Sequence, residues 1–69
     1  MRILLNDVNK LDAFFEKIKD VPGVAVIKTA KTTVNAHSIM GVLTLDLTKP
    51  LTLITSKKYL NLFKEYEDV

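Results

Sequence analysis

The sequence predicts an α+β domain: a four-stranded, mainly antiparallel sheet with its helices on one face, in the order β-α-β-β-α-β-α. Three observations carry this. Short apolar runs with strand preference recur at residues 2–5, 24–28, 32–34 and 51–55. Two longer stretches place apolar residues at i, i+3, i+4, i+7, the spacing of one helix face: Leu11, Phe14, Phe15, Ile18, and Tyr59, Leu62, Phe63, Tyr66. Amphipathic helices need an apolar surface to cover, and a sheet with one buried face supplies it.

Taken in order, Arg2 to Leu5 forms a first strand, broken by Asn6 and Asp7. Either can cap a helix, because a short side-chain oxygen satisfies an orphan amide. The first helix should end near Asp20, ahead of Val21-Pro22-Gly23, and leave Lys10, Glu16, Lys17 and Lys19 in solvent. Val24–Lys28 and Thr32–Val34 form a hairpin around Thr29-Ala30-Lys31. Asn35 to Ser38 is a polar break, Ile39 to Leu43 a short helix, and Lys49-Pro50 closes the loop before the strand Leu51–Thr55. Ser56 is placed to cap the last helix.

At 69 residues the chain is one small domain, 1–69, with a limited core. It has no cysteine, so neither disulfides nor thiolate metal sites can staple it. Ten basic and eight acidic residues give a net charge of +2, with lysines scattered and only Lys57-Lys58 adjacent. That is not the footprint of a nucleic-acid binder. No apolar run is long enough to span a bilayer, and Met1 to Leu5 is too short for a signal-peptide core. The expectation is a cytoplasmic protein that engages neither nucleic acid nor membrane.

The candidate chemistry lies in "VNAHSIMGVLTLDL", Val34 to Leu47. His37 is the only histidine and has no carboxylate near it in sequence, so no metal site is expected; it reads as an exposed residue before a helix. Ser38 is at the N-cap position, where it either caps or accepts a phosphate that the free amides and helix dipole would tolerate. Ile39, Met40, Val42 and Leu43 are too apolar for one side of a short helix. Either the helix is wholly buried, or Ile39 and Val42 face the core while Met40 and Leu43 form a surface patch for a partner. Phosphate-cradling glycine motifs are absent, since the only glycines are Gly23 and Gly41, and no cofactor is expected. Asp7, Asp12, Glu65, Glu67 and Asp68 read as helix-end and surface carboxylates rather than acid/base pairs.

This segment resembles the regulatory-serine segment of HPr, the histidine-containing phosphocarrier of the bacterial sugar phosphotransferase system. Against the family pattern V-N-x-K-S-I-M-G-V-x-x-L-x-[LIV], Val34, Asn35, Ser38, Ile39, Met40, Gly41, Val42, Leu45 and Leu47 match. The likeness is good from about Leu11 to Ile54 and weak at both ends. It implies an HPr-like open-faced β-sandwich of one sheet and three helices. It implies that Ser38 is phosphorylated by an ATP-dependent serine kinase/phosphorylase, and that Ile39, Met40 and Leu43, with His37 beside them, dock a transcriptional regulator of the LacI type or another component of the phosphotransferase system.

The departures are as informative. The family's phosphoacceptor motif, G-[LIV]-H-x-R-P-[AS], falls with Asp7 at the histidine, Asn9 at the arginine and Lys10 at the proline, and its glycine and loop are missing. His37 matches a basic position beside the serine, at the wrong end of the molecule for that role. Pro50 replaces a glycine before the fourth strand, Ser56-Lys57-Lys58 replaces a glycine-acidic turn, and Asp46 replaces a glycine, where aspartate tolerates the left-handed region. The reading is therefore a shortened HPr-like regulatory or adaptor protein related to the phosphoenolpyruvate-dependent system, not an enzyme and not an active histidine phosphocarrier, switched at Ser38. The alternative is a structural or interaction module whose serine only caps. Last comes an active phosphocarrier with an atypical acceptor, Asp7.

Overall fold

Four short strands pair edge to edge, and one side of the resulting sheet gathers the apolar residues of every helix. The computed structural model describes residues 1–68. The elements are β1 (Arg2–Ile3), α1 (Val8–Ile18), β2 (Val26–Lys28), β3 (Thr33–Asn35), α2 (Ile39–Leu43), β4 (Leu51–Ile54), α3 (Lys57–Leu60) and a 3₁₀ helix (Asn61–Tyr66). The sheet order is β1-β4-β2-β3, every neighbouring pair antiparallel. The α+β class and four-stranded antiparallel sheet expected from the sequence are present.

Register and pleat divide the sheet into two faces. Ile3 opposes Leu51 and Ile27 opposes Leu53, and all four are buried. Arg2, Lys28, Thr52 and Ile54 point the other way and are exposed. Onto the buried face come Phe14 and Ile18 of α1, Val42 of α2, and Phe63 and Tyr66 of the 3₁₀ helix. Phe14 is the centre of an aromatic cluster, with ring centroids 5.3 Å from Phe63 and 6.3 Å from Tyr66. The Tyr66 hydroxyl is buried without a hydrogen-bond partner among the described residues, and burial pushes its pKa up.

Local chemistry sets the element ends. Asp7 caps α1 by accepting the Asn9 amide at 2.7 Å. Gly23 takes φ +78° in the turn after Val21-Pro22, where a side chain would be strained. The hairpin turn is closed by Thr29, whose amide donates to the Thr32 carbonyl at 2.8 Å and whose hydroxyl accepts the Thr32 amide at 3.1 Å. The free edge of β1 is covered by the end of the described chain: the Leu4 amide donates to Tyr66 and the Asp68 amide to Arg2, each at 2.9 Å.

Four expectations need correction. The last helix is not a single α-helix, since α3 gives way to the 3₁₀ helix after Leu60. At three residues per turn, Leu60, Phe63 and Tyr66 fall on one edge and reach the core, whereas Leu62 turns outward, 43% exposed. Ser56 makes no side-chain capping bond; its carbonyl accepts the Tyr59 amide instead. Lys17 is not simply solvated: its ammonium donates to the Leu62 carbonyl at 3.1 Å, pairs with Glu65 and lies over the Tyr66 ring. Asp46 does not use the left-handed region, as no non-glycine residue among those described has positive φ. It accepts the Thr48 amide at 3.1 Å and the Thr48 hydroxyl, and these bonds hold its carboxyl below the usual range.

Candidate regulatory and docking site

The segment that carries Ser38 is built from its backbone outward. Ala36 extends the β2–β3 pairing by donating its amide to Ala25 at 2.8 Å, and its side chain is buried. Asn35 then folds the chain over: its side-chain oxygen accepts the His37 amide at 2.9 Å and its carbonyl accepts the Ser38 amide at 3.0 Å. That turn delivers Ser38 in an extended conformation at the mouth of α2, where its hydroxyl accepts the Gly41 amide at 3.2 Å. Thr44 closes the other end, donating its hydroxyl to the Gly41 carbonyl at 2.6 Å. Ser38 is exposed, so its oxygen is reachable from solvent while serving as the cap.

Gly41 has a steric reason to be glycine. A Cβ there would sit 3.2 Å from the Ser38 oxygen and 3.6 Å from the Val34 Cβ. The missing side chain keeps space beside the serine hydroxyl.

Of the apolar residues in α2, only Val42 is buried. Met40 is 77%, Leu43 50% and Ile39 49% exposed. The pairing of Ile39 with Val42 against the core is therefore corrected. Ile39 and Leu43 are spaced i, i+4 and share a side of the helix that Val42 does not occupy. That side faces α1. Ile39 and Leu43 line a shallow groove with Leu11 and Phe15, walled by Asp12, Glu16 and Lys19.

Leu11 and Phe15 were legible in the sequence only as part of a core face. The signal for a second role is the width of that face. Of its four apolar residues, Phe14 and Ile18 are buried by the sheet, and Leu11 and Phe15 remain half-buried on the side toward α2.

His37 is exposed as a residue, yet its ring is engaged. Its Nε2 lies 2.8 Å from the Val21 carbonyl. A carbonyl only accepts, so Nε2 carries the proton. The bond ties the turn after α1 to the entry of α2, and the residue is exposed beside Ser38 as expected. Asp7 is occupied as the α1 cap. Among the described residues, no three His, Asp or Glu side chains converge as a metal site would require, and no helix is long and apolar enough to cross a membrane.

Comparison of the chain with family models, with curated proteins and with solved structures finds no match.

Proposed function

We propose that the protein is an HPr-like regulatory or adaptor module, switched by phosphorylation of Ser38 and docking protein partners through α2. The observation that carries this reading is a solvent-exposed serine capping a helix whose outer side chains, Ile39, Met40 and Leu43, are left uncovered. An uncovered apolar patch of this kind marks an interaction surface. A phosphoryl group on Ser38 would change charge at its margin without having to unfold the helix, because the first-turn amides favour negative charge. The match of the surrounding segment to the HPr regulatory-serine motif and the observed element order support the same reading. The position where the family pattern carries its phosphoacceptor histidine holds Asp7, which spends its carboxylate as a helix cap, while His37 lies beside Ser38 with its ring bonded to Val21. The expected setting is the bacterial cytoplasm, with a serine kinase/phosphorylase and a transcriptional regulator or phosphotransferase component as partners.

The test is incubation with an HPr-type serine kinase and ATP, followed by mapping of the phosphate by mass spectrometry. Phosphate is expected on Ser38. A parallel incubation with phosphoenolpyruvate and enzyme I is expected to transfer nothing; phosphate on Asp7 or His37 would overturn the non-carrier reading.

The bond from the Gly41 amide to Ser38 favours a second reading, an interaction module whose serine serves only as a cap. In both readings Ser38→Ala lowers stability by about 1 kcal/mol in chemical denaturation. In the second, partner binding is the same before and after exposure to kinase.

A further inference from the structure

The groove between α1 and α2 has a charge sign of its own. Its floor is Leu11, Phe15, Ile39 and Leu43, none of them buried. Val8, 72% exposed, precedes Leu11 by one turn of α1. Val8, Leu11 and Phe15 are spaced i, i+3, i+7, so the apolar strip follows α1 for about two turns, roughly 10 Å. The charged side chains on the wall are Asp12, Glu16 and Lys19. Lys19 pairs with Glu16 at 3.2 Å, whereas Asp12 has no ion-pair partner among the described residues. The wall is therefore net negative on a chain whose net charge is +2.

We infer that this groove seats an amphipathic helix of a partner protein whose apolar stripe is flanked by lysine or arginine. An apolar groove between two helices, continued along α1 by exposed Val8, matches the helix-in-groove mode of recognition, in which side chains at i, i+3, i+4 and i+7 anchor the ligand. The acidic wall then selects the sign of the flanking charge. The inference deepens the docking reading above and rests on it for the location of the surface. Its charge preference belongs to the unphosphorylated protein.

Two labelled peptides with one leucine stripe, flanked by lysines in one and by glutamates in the other, test this by fluorescence anisotropy against the unmodified full chain. The lysine peptide is expected to bind about tenfold more tightly at low salt, and added salt should narrow the gap. The double variant Asp12→Lys, Glu16→Lys should reverse the order, and Leu43→Ser should weaken both peptides while circular dichroism confirms that the fold is intact. Equal binding, no binding of either peptide, or preference for the glutamate peptide, which the net charge of the whole chain would favour, overturns the inference. So does binding to vesicles of anionic lipid in place of the lysine peptide. Because no phosphate is involved, failure of Ser38 to accept one leaves this result readable, and failure here leaves the kinase test readable.

Discussion

Phe14→Ala lowers the free energy of unfolding by about 3–5 kcal/mol, the range for truncating a fully buried aromatic side chain. Phe14 is fully buried and touches both halves of the molecule: it sits on α1 and packs its ring against Phe63 and Tyr66 of the 3₁₀ helix. Removing it opens a cavity between α1 and the 3₁₀ helix at the centre of the aromatic cluster. A domain of this size holds roughly 3–10 kcal/mol in total, so the variant should be largely unfolded at ambient temperature or have a sharply reduced urea midpoint. A loss below 1 kcal/mol would mean that the C-terminal aromatic residues are not docked on α1 as described.

Val42→Asp and Met40→Asp separate the two sides of α2 more sharply than any other pair of substitutions. Val42 is fully buried and is the side chain by which α2 holds to the sheet layer. A carboxylate there has no cationic partner, since no charged residue among those described is buried. The cost is several kcal/mol, met by unfolding or by detachment of α2. Met40, two residues earlier, is exposed, and an aspartate there should change stability by no more than about 0.5 kcal/mol. The same aspartate would place charge in the middle of the proposed docking patch and weaken partner binding. Thermal melts of the two variants check the contrast. Similar destabilisation by both would show that α2 is buried all round, the other arrangement its composition allowed.

That contrast marks what the sequence could convey. Strand positions were legible because β-branched runs end at Asn-Asp, Pro-Gly and Lys-Pro breaks, and α1 because Leu11, Phe14, Phe15 and Ile18 repeat at helical spacing. The limits of α2 followed from Ser38 as cap and from the apolar run after it. The direction of Ile39 did not, because a five-residue helix is too short for its periodicity to fix a face. Which side meets the sheet is decided by where the Asn35 turn delivers the chain. The 3₁₀ ending was hidden for a related reason: Tyr59, Leu62, Phe63 and Tyr66 satisfy an α-helical period, while Leu60, Phe63 and Tyr66 satisfy a period of three equally well, and packing against Phe14 selects the second. The bond from His37 to Val21 and the groove between α1 and α2 are long-range features, built from residues 16 or more positions apart, and no local pattern encodes them.

The proposed switch joins these features in one place. Ser38 is held as a cap by the Gly41 amide, Gly41 keeps the space beside it open, and the helix it caps turns three apolar side chains outward next to an acidic wall. The most direct measurement of the central claim is phosphosite mapping after incubation with an HPr-type serine kinase and ATP, run on the natural chain and on Ser38→Ala. A single phosphoryl group is expected on Ser38 in the natural chain and none in the variant. An unmodified natural chain, or equal modification of both proteins at another residue, would contradict it.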